Sequence, residues 1–508
     1  MIPLLTREAV RAMDADAVAR LGLPSLVLME NAGVGATRVL LDRFADRLGR
    51  VVLVGGPGQN GGDAWVVARQ LCNHRVTPVA VLLGDEASVR GDAAVNLAVL
   101  RALGAQVHVV SLADAGALGD HLEGASLVVD GIFGTGLDRS VSGGWASAVE
   151  AINGCGVPVV ALDVPSGIDA NTGAVLGTAV RARVTVTFAA HKRGLVQHPG
   201  ADHAGEVVCV NIGVPGPDAG APLGLLEPAD AGRALGQRAA ASHKGTAGHV
   251  LLVAGSPGRT GAAVLAGLGA LRAGAGLVTI AADAQTRGAL DHKVVELMTE
   301  SLPDGPGQAL SRALTLAEGK AAVALGPGVG LDDRARELML GLAEHLECPA
   351  VLDADALTVL AGAGLDCLRK ARGSRVLTPH PGEAARLLGC TIGGVQADRF
   401  DAASRLAGVT GAVVVLKGSR TVVWAPDGRG RVCPRGTPAL GTAGTGDVLT
   451  GAVAALLAGR EPLEAASVAV MIHALAGELA ARSDRGLLAH EVADALPAAI
   501  EACRAALR

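Results

Sequence analysis

Short apolar runs alternate with longer segments of helical spacing along the whole chain. A strand, a helix-length segment and another strand form a βαβ unit, so this pattern predicts an α/β fold with mostly parallel sheets. The predicted buried strands of the first half are 51–54, 79–83, 127–130, 157–163, 184–188 and 207–212. Those of the second half are 250–254, 277–281, 322–325, 350–352 and 412–416.

Helical spacing is clearest at the two ends of the chain. An opening segment, 5–28, carries apolar residues such as Val10 and Ala17 at helical intervals. The last stretch, 447–507, is predicted to be mostly helical. The sequence shows no short repeat, and the two halves therefore look like two different α/β domains.

A stretch rich in glycine and proline interrupts the alternation. Residues 213–224 read GVPGPDAGAPLG, which contains three prolines and four glycines. Such a composition favours a linker, and a chain of 508 residues is long enough for about two to four domains. We predict an N-terminal domain over 1–215, a linker over 216–229 and a C-terminal domain over 230–508.

Composition narrows the classes of function. Half of the residues are apolar, only 1% are aromatic, and the net charge of -5 forms no basic stripe, which argues against a nucleic-acid partner. No apolar run approaches the ~18 residues of a membrane span, and the start lacks an apolar signal core, so we expect no membrane partner and a cytoplasmic protein. The eight cysteines form no CxxC pair, which argues against a zinc cluster.

A glycine-rich loop follows the first predicted strand. It reads GGPGQNGGDAW over 55–65, and Gly56, Gly58 and Gly61 satisfy GxGxxG. Glycines allow the backbone to approach a phosphate at the start of a helix, and Asp85 stands near the usual distance of a ribose-binding acid. A dehydrogenase is therefore an open alternative, as is a simple tight turn. Neither alternative explains the Asn and Asp side chains inside the loop.

Two more polar loops end predicted strands: DGIFGTG over 130–136 and DVPSGIDANTG over 163–173. The carboxyl ends of parallel strands lie at one edge of a sheet, so these loops should meet the glycine loop. Asn60, Asp130 and Ser166 would then lie close together. An amide oxygen, a carboxylate and a hydroxyl suit a hard monovalent cation.

Two further side chains of the first half could move protons. Asp163 begins the second polar loop and could act as a general base or acid. Lys192 follows another predicted strand within FAAHKRGL, 188–195. A surface lysine is the favoured interpretation there, with a catalytic lysine as the alternative.

The second half contains an anion-binding loop with an acid inside it. Residues 441–451 read GTAGTGDVLTG and run into a helical segment, without the GK[ST] of a Walker loop. Free backbone N–H groups at the start of a helix bind phosphoryl oxygens. Asp447 beside them is electrostatically costly unless it works as a general base on a hydroxyl that attacks phosphate. Helix capping is the alternative.

Several other loops of the second half end predicted strands or open helices. His380 is held between two prolines and is a reasonable substrate contact, whereas capping by Thr378 or Glu383 is the alternative. The loops that end predicted strands or open helices are TGAAVLAG (260–267), GPGVG (326–330), DADAL (353–357), TPHPGE (378–383) and KGSRT (417–421).

The motifs MENAG (29–33), NGGD (60–63), DGIFGTG and DVPSGIDA, with the Lys192 segment, resemble the NAD(P)H-hydrate epimerase family over about residues 1–215. The resemblance implies a Rossmann-like fold, exchange of the R and S hydrates at C6 of the nicotinamide ring, and K+ at Asn60, Asp130 and Ser166. It implies Asp163 as a catalytic residue. The implied hydrate contacts are Gln59, Asn60, Gly61, Gly62, Asp63, Gly134, Thr135, Gly136, Leu137, Asp138, Arg139, Ser140 and Asp163. Gln59 and Ala64 depart from the family pattern, where Asn and Gly are common.

The motifs of the second half, including GSPGRTGAA (255–263), resemble the ADP-dependent NAD(P)H-hydrate dehydratase family, a ribokinase-like α/β fold. The resemblance implies ADP as co-substrate, Mg2+ as cofactor and Asp447 as the catalytic residue. The implied hydrate contacts are Ala262, Gly328, Gly330, His380 and Asp447. The implied nucleotide contacts are Lys417, Gly418, Ser419, Arg420, Thr421 and Gly446.

Together the two resemblances imply a bifunctional enzyme that repairs hydrated NADH and NADPH. Its partners would be the small molecules NADHX, NADPHX and ADP, and the family tendency implies a homo-oligomer. The alternative is a ribokinase-like small-molecule kinase fused to a module that binds dinucleotides without catalysis.

Overall fold

A computed structural model describes residues 1–216 and 222–507. They form two compact units, an N-terminal unit of residues 3–216 and a C-terminal unit of residues 222–507 with Met1 and Ile2. Residues 217–221 of the predicted linker lie outside the described residues. The linker range is structured from residue 223 onward, because Leu223–Leu225 pairs in parallel with Gly430–Val432.

The N-terminal unit is built on a seven-stranded parallel sheet in the order β4-β3-β2-β5-β6-β7-β9. Its central strands are buried on both faces, as parallel sheets covered by helices require. A short parallel pair, β1 with β8, lies apart from that sheet. The strands are β1 Ile2–Leu5, β2 Val51–Gly55, β3 Val79–Leu83, β4 Gln106–Val110, β5 Leu127–Gly131, β6 Val159–Leu162, β7 Val184–Phe188, β8 His191–Lys192 and β9 Glu206–Val210.

Helices cover the N-terminal sheet. The opening segment is two helices rather than one, because Gly22 adopts a left-handed φ of 69° that ends α1, and Pro24 precedes α2. The helices are α1 Arg7–Leu21, α2 Ser25–Arg43, α3 Gln59–Asn73, α4 Gly91–Ala102, α5 Leu118–Leu122, α6 Gly144–Gly154 and α7 Gly200–Ala204.

The C-terminal unit has a second sheet in the order β13-β12-β11-β14-β15-β16-β17-β18-β19-β10. It is parallel from β13 to β17, whereas β18 is antiparallel to both of its neighbours. The strands are β10 Leu223–Leu225, β11 His249–Val253, β12 Leu277–Asp283, β13 Met298–Leu302, β14 Ala322–Leu325, β15 Ala350–Leu352, β16 Arg375–Leu377, β17 Val413–Leu416, β18 Val422–Trp424 and β19 Gly430–Val432.

The predicted α/β class is confirmed by these two sheets. The helices of the C-terminal unit are α8 Pro228–Leu235, α9 Thr260–Ala273, α10 Ala284–Asp291, α11 Pro306–Ala317, α12 Asp333–His345, α13 Asp355–Ala363, α14 Asp366–Arg369, α15 Pro381–Leu388, α16 Ile392–Ala397, α17 Arg399–Thr410, α18 Thr445–Leu457, α19 Pro462–Ala480 and α20 Ala489–Ala505.

Helix α19 is long and apolar enough to cross a membrane by length and composition alone. Most of its residues are buried inside the C-terminal unit, and the core helix of a globular protein passes the same test. It is the one helix of this kind among the described residues.

Helices α9 and α18 pack with their backbones in direct approach. A Cβ at Gly451 would lie 1.9 Å from the carbonyl oxygen of Ala266, and one at Gly269 would lie 2.3 Å from that of Val448. Small residues at both positions therefore let the helix that carries Asp447 lie against the helix that begins with the 260–267 motif.

We expect Gly451→Ala to lower the free energy of unfolding by about 1–3 kcal/mol, because an added methyl group in a packed interior forces a backbone shift. The matched control is Gly408→Ala in α17, where a Cβ meets nothing within 4 Å. That control should stabilise the protein by about 0.5–1 kcal/mol, since alanine loses less backbone entropy than glycine in a helix. Calorimetric unfolding measures both changes, and equal effects of the two variants would contradict the packing argument.

Candidate active sites

In the N-terminal unit, the loops after β2, β5 and β6 meet at the edge where the strand order reverses. Ligands of open α/β sheets bind at this kind of position. A cavity of about 840 Å³ opens there, and its walls include residues of α1, α2 and the three loops. The sheet topology therefore brings the predicted polar loops to one cavity.

The glycine loop reaches this cavity because its backbone packs on itself. A Cβ at Gly61 would lie 1.9 Å from the carbonyl oxygen of Gly56, and a Cβ at Gly56 would lie 2.4 Å from that of Ile132. This close approach places Gln59, Asn60 and Asp63 on the cavity wall at the start of α3.

Asp130 and Ser166 form a buried pair at the ends of β5 and β6. Asp130 Oδ1 accepts a hydrogen bond from Ser166 Oγ at 2.6 Å, and Oδ2 accepts one from the Ser166 backbone N–H at 2.8 Å. Burial raises the pKa of Asp130 to about 6, although these hydrogen bonds act in the opposite direction. The carboxylate is thus fixed and desolvated behind the cavity.

The Asn60 carboxamide lies near this pair without a protein partner of its own. It is 7% exposed, and neither its Oδ1 nor its Nδ2 forms a hydrogen bond with a described residue. Its Oδ1 faces Gly134, where a Cβ would lie 3.4 Å away. An unpaired buried amide is costly unless a ligand satisfies it, so this oxygen, Asp130 and Ser166 fit a hard cation.

Lys192 is not a surface residue. Its side chain is 1% exposed, and its Nζ lies 2.6 Å from Asp163 Oδ1 and 2.7 Å from the Phe188 carbonyl oxygen. The surface interpretation was wrong because the side chain after β7 lies in the interior, where the ammonium forms an ion pair with Asp163. Asp163 adopts a left-handed φ of 65°, and its Oδ2 accepts the Thr135 N–H at 2.9 Å.

Two other acids border the same cavity. Burial raises the pKa of Asp63 well above its usual value, and Asp163 adds to that rise. Burial also raises the pKa of Asp14, whose Oδ1 is buried without a hydrogen-bond partner among the described residues. The sequence reasoning missed Asp14, although it lies between Val10 and Ala17 on the apolar face of α1, where a charge is unusual.

In the C-terminal unit, the strand order reverses between β11 and β14. The loops after these strands place α9 and the 326–330 motif side by side, and a Cβ at Gly328 would lie 3.2 Å from Ala262 Cβ. Gly330 donates its backbone N–H to Asp355 Oδ2 at 2.9 Å. The predicted hydrate contacts Ala262, Gly328 and Gly330 therefore form one surface.

The 441–451 loop ends at the first turn of α18. Gly444 is the N-cap with φ 91° and supplies no side-chain cap, so the first N–H groups of the helix are available to an anion. Helix α19 contacts this first turn of α18, because His473 Nε2 lies 2.9 Å from the Thr445 carbonyl oxygen. A Cβ at Gly444 would meet Leu265 Cδ1 at 2.5 Å, so glycine is required there.

Asp447 is half-buried in this first turn. Burial and the nearby Asp353 carboxylate raise its pKa to about 7, whereas Lys417 acts in the opposite direction. A carboxyl group that titrates near neutral pH is suited to proton transfer.

Lys417 joins the anion loop to two acids. Its Nζ lies 2.6 Å from Asp353 Oδ1 and 4.0 Å from Glu383 Oε2. Burial alone would lower the pKa of Lys417, but the two carboxylates more than offset it, and the pKa is raised. Asp353 belongs to the DADAL motif, to which the sequence reasoning assigned no role.

His380 both caps a helix and faces Lys417. Its Nδ1 accepts the Gly382 N–H at 3.0 Å, while Glu383 Oε2 accepts the His380 N–H at 2.8 Å, which forms a capping box at the start of α15. Burial and Lys417 lower the pKa of His380, so the imidazole is neutral near pH 7. The capping role considered for Glu383 is therefore present in the structure, whereas the Thr378 hydroxyl donates to the Leu352 carbonyl oxygen at 3.3 Å. His380 Nε2 lies 3.5 Å from Glu383 Oε1.

The 417–421 loop is held by Arg399, which the sequence reasoning did not identify. Arg399 Nη2 donates to the carbonyl oxygens of Leu416 at 3.0 Å and Lys417 at 3.3 Å. Burial lowers the pKa of Arg399 to about 10. Gly418 adopts φ 137°, and Thr421 Oγ1 closes the turn on its carbonyl oxygen at 2.8 Å.

Comparison with known proteins identifies both halves. Residues 25–194 match the family model described as YjeF-related protein N-terminus, and residues 250–498 match that of NAD(P)H-hydrate dehydratase. The bifunctional NAD(P)H-hydrate repair enzyme of Moorella thermoacetica is 41% identical over 515 residues, covering 97% of this chain and 96% of the relative. That of Coxiella burnetii is 35% identical over 97% of this chain and 98% of its own length.

The chain belongs to the family of bifunctional NAD(P)H-hydrate repair enzymes. It combines an epimerase half and a dehydratase half, and the kinase alternative is not favoured. A crystal structure of the ADP/ATP-dependent NAD(P)H-hydrate dehydratase of Bacillus subtilis, co-crystallised with ATP and Mg2+, is 34% identical, covers 55% of this chain and 97% of that chain, and has a TM-score of 0.49. The predicted Rossmann-like and ribokinase-like fold classes are confirmed by these family assignments.

Within the epimerase half of this repair enzyme, most predicted hydrate contacts line the cavity, including Gly134, Thr135, Gly136, Leu137, Asp138 and Arg139. Gly61, Gly62 and Ser140 do not line it. Gly61 packs on Gly56, Gly62 faces Met29, and the Ser140 hydroxyl faces Gly177.

The two departures from the family pattern differ in position. Gln59 lines the cavity, whereas Ala64 is fully buried and faces Gly131, where a Cβ would lie 2.8 Å from the Ala64 methyl group. Ala64 thus packs α3 on β5, and of the two changes it is Gln59 that can alter contacts with a ligand.

Proposed function

We propose that the N-terminal unit exchanges the R and S hydrates and that the C-terminal unit dehydrates the S form with ADP, releasing AMP and phosphate. The domains predicted over 1–215 and 230–508 carry these two steps in this proposal. The observation that carries it is the position of Asp447, a carboxyl group of raised pKa in the first turn of a helix whose N–H groups are available to an anion.

The hydrate has a hydroxyl at C6, which is a poor leaving group. Asp447 takes the hydroxyl proton while the hydroxyl oxygen forms a bond to the terminal phosphorus of ADP and the bond from that phosphorus to AMP breaks. The N–H groups of residues 444–447 stabilise the developing charge. The C6–O bond then breaks, phosphate leaves with its electron pair, C5 loses a proton, and the ring double bond is restored.

The nucleotide contacts with the 417–421 loop and Gly446 stay a proposal, supported by the loop and the helix start lying together. A Cβ at Gly446 would lie 3.5 Å from Lys417 Nζ. The described residues contain no group of three His, Cys, Asp or Glu side chains that could hold a metal ion, and the Asp353 and Glu383 oxygens already have protein partners. The residues of this site fit a Mg2+ ion that arrives bound to the nucleotide, because Mg2+ keeps several waters and binds phosphates. The ion would neutralise negative charge on the phosphates.

In the epimerase unit, Asp163 is proposed to accept the proton of the C6 hydroxyl while the C6–N1 bond breaks, N1 keeps the electron pair and the oxygen becomes a carbonyl. Asp163 then returns the proton to that oxygen when N1 adds to the opposite face of C6. Its carboxylate lies on the cavity wall, held by the Lys192 ammonium and the Thr135 N–H. The buried lysine orients Asp163, because each charge would be costly alone.

We also propose that K+ binds Asn60, Asp130 and Ser166. The support is the buried Asn60 oxygen, which has no hydrogen-bond partner among the described residues and faces the loop that follows the desolvated Asp130 carboxylate. The ion would neutralise Asp130 and hold the glycine loop in place. A homo-oligomeric state and a cytoplasmic location rest on the family resemblance and are proposed with it.

Asp447→Asn should abolish dehydration and spare epimer exchange, because the amide cannot accept the hydroxyl proton. In the wild type, the base is the ionised carboxylate, so kcat/KM for dehydration should fall as pH decreases through about 7. Recovery of absorbance at the reduced-nicotinamide band measures dehydration, and NMR of the hydrates measures exchange. Equal loss of both activities would contradict the division between units.

Asp163→Asn and Lys192→Met should each lower epimer exchange by about 10²–10⁴-fold, the range expected for proton transfer by a positioned side chain. Dehydration of the S hydrate by the same preparations is the internal control for both variants. If the pair acts as one unit, the double variant should lose no more than either single variant. Independent, additive losses would refute the paired role.

Potassium should raise the unfolding temperature of the wild type and support epimer exchange, since a ligand that binds only the folded state stabilises it. Replacing K+ by tetramethylammonium at constant ionic strength removes both effects. Asn60→Leu should abolish the K+-dependent stabilisation, whereas Asn73→Leu at the exposed end of the same helix should keep it. A K+ response that survives Asn60→Leu would place the ion elsewhere.

A further inference from the structure

Asp353 is buried between the elements that form the dehydratase site. It follows β15, and the residue is 1% exposed. Its Oδ1 accepts a hydrogen bond from Lys417 Nζ at 2.6 Å, and its Oδ2 accepts one from Thr450 Oγ1 at 2.6 Å. One carboxylate therefore links the start of the nucleotide loop to the catalytic helix α18.

The contact with α18 reaches the anion-binding turn. Thr450 Oγ1 also lies 3.1 Å from the carbonyl oxygen of Gly446, one turn earlier in the helix. At Gly446 a Cβ would lie 3.5 Å from Lys417 Nζ and 3.9 Å from Asp353 Oδ2. The ammonium is thus held beside the N–H groups that would bind the transferred phosphoryl group.

A buried ion pair is weak support for stability alone, because removing two charges from water costs about as much as their attraction returns. A purely structural link between a strand and a helix would be made as well by apolar side chains. The position of this pair, where the nucleotide loop meets the anion-binding turn, instead indicates a role in the reaction.

We propose that Asp353 is the positioning residue of the dehydratase centre, which fixes the Lys417 ammonium against the first turn of α18 so that the two together bind the transferred phosphoryl group. The inference rests on the proposed dehydratase function. Lys417 would then be a catalytic cation at the reacting phosphorus as well as a contact of the nucleotide loop. As the bond from phosphorus to AMP breaks, the ammonium stabilises the negative charge on the phosphoryl oxygens.

The charges around Asp447 make this role testable by pH. Asp353 and Asp355 raise the pKa of Asp447 together with burial, and Lys417 lowers it. Glu383 and His380 face Lys417 from α15. Removing the Asp353 charge should therefore lower the pKa of the base, whereas removing the Lys417 charge should raise it.

The test compares Asp353→Asn and Lys417→Met with the exposed control Asp427→Asn in the full-length chain. We expect Asp353→Asn to lower kcat about 10- to 100-fold, the usual cost of losing a residue that orients a catalytic group. The KM for ADP should change much less. The acidic limb of the dehydration profile should move to lower pH in Asp353→Asn and to higher pH in Lys417→Met. Asp427→Asn should match the wild type.

Thr450 supplies a second pair of variants if Asp353→Asn does not fold. Thr450→Val removes one hydrogen bond from Asp353 and should lower kcat, and Thr450→Ser should restore it. Equal rates for these two variants would overturn the proposal. A wild-type kcat and a wild-type acidic limb of the pH profile in Asp353→Asn would also overturn it. An increased Mg2+ requirement without a shift of that limb would overturn it too, because it would identify Asp353 as a metal ligand. A wild-type protein that dehydrates no hydrate with ADP or ATP would instead refute the dehydratase function itself.

Discussion

In each unit a lysine forms an ion pair with a buried aspartate that follows a strand of the parallel sheet. Lys192 lies 2.6 Å from Asp163, and Lys417 lies 2.6 Å from Asp353. An unpaired charge would be costly in the interior, so each pair fixes where the neighbouring loops can lie. The polar loops of both sites are arranged around these two ion pairs.

Glycines allow backbone segments around the sites to approach each other closely. Gly56 and Gly61 bring two turns of one loop into contact, and Gly269 and Gly451 do the same for two helices. Without this close approach, the N–H groups and carboxylates would stand too far apart to act on one ligand. Backbone packing and buried charge thus depend on each other. The glycines allow the loops and helices to pack closely, and this packing excludes water from the acidic side chains. The raised pKa of Asp447, about 7, is a consequence of that desolvation and of the Asp353 charge beside it.

Most strands buried on both faces were predicted closely, although Arg375–Leu377 was not, and among the edge strands Glu206–Val210 was predicted whereas two others were missed. The bounds of Val79–Leu83 and Ala322–Leu325 agree with the prediction, since continuous apolar runs are typical of central parallel strands. Gln106–Val110 and Met298–Leu302 are edge strands with exposed positions, and they lack such a run. The paired strands β18 and β19 were missed because they are only three residues long.

The sequence by itself determined the fold class, the family and the loops proposed to carry the chemistry, because glycine and aspartate at fixed spacing after apolar runs are a local property of the chain. Tertiary structure alone decided that Lys192 is buried, that the Asn60 carboxamide has no hydrogen-bond partner among the described residues, and that Asp14 faces the first cavity. It also decided that Asp353 meets Lys417 and Thr450, which are 64 and 97 positions away along the chain. Burial and long-range pairing depend on the order of the strands in a sheet, and the local spacing of residues along the chain does not predict that order.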